Sequence, residues 1–230
     1  MILYMIIIVA IIAILIILFL QNKYEGMDNI STTTIPPHAK DTEPYINPVI
    51  VPNLLNDTQI NDILDHASHK IADQDIIEGR FVYARNKQHL FIRKENEIIK
   101  PILEHIAKIV NMPYENAENV LVARYMPYQT YMEHMDSCCD DNDKCRDFIK
   151  RGGERVLSLI VYLSDGFKGG GTFFNKLGLN IRPDKGGAIL FHPLAQTSRK
   201  CHPNSLHTEQ PLDGGIKWLM HVWFRETAFL

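Results

Sequence analysis

The segment Tyr131-Met132-Glu133-His134-Met135-Asp136 sets an imidazole and a carboxylate two positions apart. In extended backbone, residues i and i+2 point to the same side, so both groups can address one metal ion. Two histidines and one carboxylate on one face of an octahedron suit iron(II), because the remaining positions stay open for a chelating co-substrate and O2. A lone His-x-Asp triplet is weak, since His134 by itself reads equally as a surface or a core histidine. The third ligand must come from elsewhere. The segment Leu206-His207-Thr208-Glu209-Gln210-Pro211-Leu212-Asp213-Gly214-Gly215-Ile216-Lys217-Trp218 supplies a histidine and, ten positions later, a lysine inside an apolar strand. His192 and His202 are alternatives for that distal histidine. A lysine buried in a low-dielectric site needs a charged partner, and the carboxylate of a bound co-substrate would be one. Otherwise Lys217 faces water at a strand edge, with Ile216 and Trp218 turned inward.

These groups need a scaffold that brings distant strand ends together. From Val120 onward the chain breaks into short runs rich in β-branched and aromatic residues, separated by Gly, Pro, Asn and Asp. The runs are Val120 to Met126, Val156 to Leu163, Gly171 to Phe174, Gly187 to Phe191 and Lys217 to Arg225. Strands this closely spaced, with no helices between them, predict an antiparallel sandwich or barrel. Upstream, Pro48 to Leu55 reads as a short strand, and Asn56 or Asp57 caps a helix carrying Ile60, Ile63, Leu64 and Ala67 at helical spacing. A second helix is expected over about Asn96 to Asn111, with Ile98, Ile99, Ile102, Leu103, Ile106 and Ile109 on one face. The class is α+β: a β-barrel with supporting helices on its N-terminal side.

The chain has 230 residues, 46% hydrophobic and 22% charged, which is the composition of a folded domain with an appendage. A formal net charge of −3 gives no basic face for nucleic acid, so none is expected as a partner. Ile2 to Leu20 contains no charged residue and is long enough to span a bilayer. The alternative is a cleaved secretory signal, but no basic segment precedes the apolar run and no A-x-A-like site follows it. Residues 1–20 are therefore read as a single transmembrane anchor and 21–47, with Ser31-Thr32-Thr33-Thr34 and Pro36-Pro37, as a linker. Folding is expected to begin near Pro48. Lys23 is the only basic residue near the anchor, so charge leaves its orientation open. The triplets Asn29-Ile30-Ser31 and Asn56-Asp57-Thr58 fit a lumenal or exterior domain. Cys138, Cys139, Cys145 and Cys201 permit one or two disulfides, and the loop from Cys138 to Cys145 is read as a solvated lid stapled by one of them. It lacks the regular oxygen ligands and closing Glu of a calcium loop and the fourth ligand of a zinc knuckle.

The order of these motifs resembles the prolyl 4-hydroxylase branch of the 2-oxoglutarate- and iron(II)-dependent dioxygenases, over roughly residues 118–227. Tyr125 and Tyr131 stand where the family has tyrosines ahead of its His-x-Asp, here His134 and Asp136. Gly152-Gly153-Glu154-Arg155-Val156, Tyr162-Leu163-Ser164-Asp165, Gly169-Gly170-Gly171-Thr172 and Pro183-Asp184-Lys185-Gly186-Gly187-Ala188 follow in the family's order. His207, Lys217 and Trp223 complete it. The resemblance implies a double-stranded β-helix (jelly-roll) core with iron at its mouth, and a division into residues 48–117 as support and 118–227 as the dioxygenase domain. It implies His134, Asp136 and His207 as iron ligands, Lys217 as partner of the distal carboxylate of 2-oxoglutarate, and O2 as the other co-substrate, with L-ascorbate as the supporting reductant. It further implies Tyr125, Tyr162 and Thr172 as hydrogen-bond partners of 2-oxoglutarate, and Arg155 and Trp223 along the groove for a proline-containing peptide. His207 is preferred over His192 and His202 because Lys217 follows it at the family's spacing. Arg225 is the alternative partner for the co-substrate, with a surface position expected for it at the strand end. The family's glycine after the first tyrosine is absent, since the text is Tyr125-Met126-Pro127-Tyr128-Gln129. The resemblance implies hydroxylation of peptidyl proline on a single-pass, endoplasmic-reticulum-like or exterior membrane protein. The same iron motif would also serve oxidation of another side chain or a small molecule, and a non-catalytic binding module is disfavoured because every site residue is intact.

Overall fold

The computed structural model of the chain describes residues 39–78 and 88–230. The expected anchor, residues 1–20, and most of the expected linker lie outside the described residues. Among the described residues no helix is long and apolar enough to cross a membrane. In chain order the elements are β1 (Val49–Val51), α1 (Asp57–Glu78), β2 (Gln88–Ile92), α2 (Ile99–Ile109), β3 (Val120–Tyr125), β4 (Tyr131–His134) and α3 (Asp143–Ile149). There follow β5 (Arg155–Tyr162), β6 (Lys168–Gly169), β7 (Thr172–Phe174), β8 (Leu179–Ile181), β9 (Ala188–Phe191), β10 (His207–Glu209), β11 (Leu212–Gly214) and β12 (Lys217–Arg225).

Helix α1 begins where the sequence places it, because Asn56 and Gln59 form a reciprocal capping box. The Asn56 side-chain oxygen accepts from the Gln59 N–H at 2.9 Å, and the Gln59 side-chain oxygen accepts from the Asn56 N–H at 3.0 Å. Asn96 acts similarly for α2, accepting from the Ile98 and Ile99 N–H groups at 3.0 and 3.4 Å. The strands assemble into a six-stranded sheet, β1-β9-β5-β12-β3-β2, and a four-stranded sheet, β4-β10-β7-β8, all antiparallel, plus a small β11-β6 ribbon. From β3 to β12 the chain passes repeatedly between the two sheets, which is the winding of a jelly roll.

Side-chain alternation splits the interior in two. On β12, Met220, Val222 and Phe224 join Val120, Val122, Leu157, Leu159 and Val161 against Ile60, Ile63, Ile99, Leu103 and Ile106 of the helices. Opposite-parity residues such as Ala123, Tyr125, Ile160, Tyr162 and Leu219 pack with Phe174 and Phe191 in a second cluster. Both faces of the large sheet are covered, which is why its strands read as unbroken apolar runs. Each fully buried aliphatic contributes about 1.5–3 kcal/mol, so the helical layer fixes the sheet on whose other face the polar chemistry sits.

Two expectations change. The folded chain starts before Pro48: the buried Ala39 donates its N–H to the Cys201 carbonyl at 3.1 Å, and Tyr45 stacks on His202 with ring centres 4.6 Å apart. The segment from Cys138 to Cys145 carries two disulfides, not one, and is no free lid: Cys138 bonds Cys145 and Cys139 bonds Cys201. It runs into α3, whose Asn142 cap accepts from the Cys145 N–H at 2.9 Å. The Cys139–Cys201 bridge spans 62 residues and the Cys138–Cys145 bridge only 7. Loop-closure entropy then gives about 4 kcal/mol for the long bridge and about 2.5 kcal/mol for the short one. Guanidinium unfolding should accordingly show a larger stability loss for Cys139→Ser/Cys201→Ser than for Cys138→Ser/Cys145→Ser.

Candidate active site

Strands β4 and β10 pair so that His134 and His207 are register partners. This places their rings side by side, with centroids 4.3 Å apart. Asp136 enters from two residues beyond His134, and one donor atom from each of the three lies within 4.8 Å of the others. Both imidazoles are oriented by the same local device. Nδ1 of His134 meets the Met132 carbonyl at 2.9 Å, and Nδ1 of His207 meets the Ser205 carbonyl at 2.9 Å. A carbonyl only accepts, so each Nδ1 carries the proton and each Nε2 keeps its lone pair for a metal. Phe174 and Phe191 pack against His207, with centroids at 5.5 and 4.9 Å. Burial lowers the basicity of His207, outweighing the nearby Asp136. For Asp136 burial alone would raise the carboxyl, but the groups that face it, the nearby Arg155 charge among them, hold it well below the usual carboxylate range.

Arg155 and Trp223, the two residues expected along a peptide groove, stand beside Asp136. The Trp223 indole N–H donates to Asp136 Oδ2 at 2.9 Å, leaving Oδ1 on the His134 side at 3.6 Å from its Nε2. Arg155 lies over the Trp223 ring at 3.8 Å, donates to the Asp136 carbonyl at 3.3 Å, and grips Glu118 through two bonds of 2.6 and 2.9 Å. Arg225, expected at the surface, is 1% exposed and also donates to Glu118, at 2.8 Å. It further donates to the carbonyls of Phe148 and Gly153, so it is an interior strut and not a ligand partner. His202 is equally removed from the metal cluster: it accepts from the Asn204 N–H and bonds the Glu43 carbonyl at 3.1 Å. His192 is half-buried and outside the cluster.

A second polar group lies between the sheets. Lys217, fully buried, donates to the Gly170 carbonyl and to Glu209 Oε2, each at 2.8 Å, and sits 4.7 Å from the Tyr125 ring centre. Thr172 donates to Glu209 Oε1 at 2.9 Å and lies 3.0 Å from the Tyr162 hydroxyl. The structure thus brings Lys217, Tyr125, Tyr162 and Thr172 together as expected. The Tyr125 hydroxyl is buried with no hydrogen-bond partner. Burial, and next the Glu209 charge, push both tyrosine hydroxyls up. Gly170 has φ +67°, and a Cβ there would collide with the Leu212 side chain, so this position of the Gly-Gly-Gly-Thr turn keeps its carbonyl on the lysine. Glu209 and Glu118 were not singled out from the sequence. Glu209 could have been found, because it is two residues from His207 on one strand and so shares its face; Glu118 precedes β3 and carries no such periodic mark.

The family model of the 2OG-Fe(II) oxygenase superfamily matches residues 120–225. A mimivirus protein named "Putative prolyl 4-hydroxylase" (Acanthamoeba polyphaga mimivirus) is 42% identical over 192 residues, covering 84% of this chain and 79% of that protein. Prolyl 4-hydroxylase 1 of Arabidopsis thaliana is 28% identical over 197 residues, covering 80% of this chain but only 64% of the plant protein. Among solved structures, the 2OG complex of the viral collagen prolyl hydroxylase from Paramecium Bursaria Chlorella virus-1 superposes with a TM-score of 0.57 at 28% identity. That match covers 76% of this chain and 94% of the other. With the ordered motifs, the paired histidines and these relatives, the chain belongs to the prolyl 4-hydroxylase family of 2-oxoglutarate- and iron(II)-dependent oxygenases.

Proposed function

We propose that this chain hydroxylates prolyl residues of peptide substrates. His134, Asp136 and His207 would hold the iron, and Lys217 with Tyr125, Tyr162 and Thr172 would hold 2-oxoglutarate. The observation that carries this reading is the joint placement of the three metal donors and the buried Lys217 between the same two sheets. The donors fit iron(II), being two imidazole nitrogens and one carboxylate on a single side. The second group fits a carboxylate-bearing co-substrate, since the orphaned Tyr125 hydroxyl is a buried donor in want of an acceptor.

Iron bound there supplies the coupling of O2 reduction to decarboxylation of 2-oxoglutarate, giving succinate, CO2 and a hydroxylated substrate carbon. The protein's own part is positional. The carbonyls of Met132 and Ser205 fix which imidazole nitrogen faces the metal, Trp223 fixes the rotation of the Asp136 carboxylate, and Arg155 backs the indole. Phe174 and Phe191 exclude water from His207. For a peptide, the turn between β3 and β4 offers exposed Tyr128 (79%) and β4 itself exposed Met132 (69%), next to the His-x-Asp; amphipathic aromatic and sulfur side chains suit proline-rich chains. L-ascorbate would serve as the reductant. Residues 1–20 would anchor the chain and the stretch after them would link it to the folded part, which already includes Ala39 and Tyr45, with support up to residue 117 and oxygenase over 118–227. Two disulfides support a lumenal or exterior position, where thiols are oxidised.

Full-length protein in mild detergent, given iron(II), ascorbate and 2-oxoglutarate, should release succinate faster with a proline-rich peptide, and the peptide should gain one oxygen atom on proline. Succinate release that no peptide stimulates would remove the prolyl assignment. His134→Ala and His207→Ala should each abolish release with the circular dichroism spectrum unchanged, while Lys217→Ala should raise the KM for 2-oxoglutarate. Trp223→Phe removes one hydrogen bond to a metal carboxylate, and loss of such a partner weakens metal affinity by about 10–100-fold. A titration with iron(II) under argon should show that loss.

A further inference from the structure

We propose that Glu209 is a specificity-determining residue: its carboxylate occupies the place that the distal carboxylate of the 2-oxo acid must take, so the co-substrate binds by displacing it from Lys217. The inference rests on the reading of Lys217 as the residue that receives that carboxylate.

Lys217 is already engaged by a carboxylate and a carbonyl of the protein. An ammonium group has three N–H donors. One goes to Glu209 Oε2 and one to the Gly170 carbonyl, while the Tyr125 ring stands close by at 4.7 Å. Glu209 is itself 1% exposed, and its other oxygen is held by Thr172, which connects onward to Tyr162. The ammonium and hydroxyl suited to a dicarboxylate ligand are therefore already satisfied by a side chain of the protein. The Tyr125 hydroxyl beside them remains unmatched. A second carboxylate added beside Glu209 would place two anions on one cation in a water-poor space, which is strongly unfavourable. Exchange of one carboxylate for the other keeps the charge on Lys217 matched and gives the Lys217 and Thr172 donors that Glu209 leaves a new acceptor. Glu209 lies at the last position of the three-residue β10, beside a register irregularity in its pairing with β4, and Gln210-Pro211 follows. Its side chain can leave by rotation without unpairing a long ladder.

This exchange has a chemical consequence. A 2-oxo acid with a distal carboxylate replaces what it displaces; a monocarboxylic one does not, and leaves the ion pair closed. Glu209 thus lowers affinity for 2-oxoglutarate, whereas binding of a monocarboxylic 2-oxo acid, which leaves the Lys217–Glu209 pair closed, does not depend on it.

The test uses full-length protein loaded with iron(II) under argon, titrated calorimetrically with 2-oxoglutarate and separately with 2-oxobutyrate. Glu209→Gln keeps an amide oxygen to accept from Lys217 and turns its NH2 to the Thr172 hydroxyl oxygen while removing the charge, and Glu209→Ala removes the charge and the hydrogen bonds alike. Both variants should bind 2-oxoglutarate more tightly than the unaltered chain, by about tenfold for Glu209→Gln, with 2-oxobutyrate affinity changed far less. Melting without ligand should occur at lower temperature in both variants, and added 2-oxoglutarate should raise their midpoints more than it raises that of the unaltered chain. Unchanged or weaker 2-oxoglutarate binding in both, with stability lost and not recovered by ligand, would make Glu209 a purely structural partner and overturn the inference. If the unaltered chain and both variants bind iron but no 2-oxoglutarate, the reading of Lys217 fails, and the inference with it.

Discussion

Charge taken out of water has to be matched where it is put, and this constraint organises the space between the two sheets. Three groups of buried charge lie there: Lys217 with Glu209, Asp136 with its histidines and Trp223, and Glu118 with Arg155 and Arg225. Glu209 and Glu118 are each held by more than one donor, as a desolvated anion requires, while Asp136 accepts from Trp223 and keeps its other oxygen on the His134 side. Three of the residues involved, Lys217, Trp223 and Arg225, share one face of β12. One strand therefore carries the buried ammonium, the indole that orients Asp136 and the interior strut in line.

That strand can hold so many polar groups because its other face is so apolar. Met220, Val222 and Phe224 are locked beneath the helices, and a register slip by one residue would send them among the charges and Lys217 among the isoleucines. The helical layer has no part in the chemistry, yet it fixes the register on which the polar ladder depends. The His134–His207 pairing depends on register in the same way across β4 and β10.

Much of this was legible in the sequence because it is written locally. His134 and Asp136 are two residues apart, the capping box sits at Asn56 and Gln59, and β12 spans Lys217 to Arg225 as its apolar run indicates. Less legible were features that arise only from pairing at a distance. The strands β8 and β10 are three residues each and too short for a period to declare itself. Glu118 gains its meaning from arginines far along the chain, and Trp223 from Asp136, so neither role follows from neighbours in sequence. Arg225 looked like a strand-end surface residue because position along a strand does not reveal which loops fold back over it. Cysteine count alone could not choose among pairings, whereas the proximity of Cys139 to Cys201 does.

The Cys139–Cys201 bridge joins the stretch just after Asp136 to the stretch just before His207. The two halves of the metal centre, distant along the chain, are thus laced by a covalent bond as well as by strand pairing. A hinge at that side of the barrel would have to tear or bend a crosslink, so the spacing of His134 and His207 does not depend on strand pairing alone.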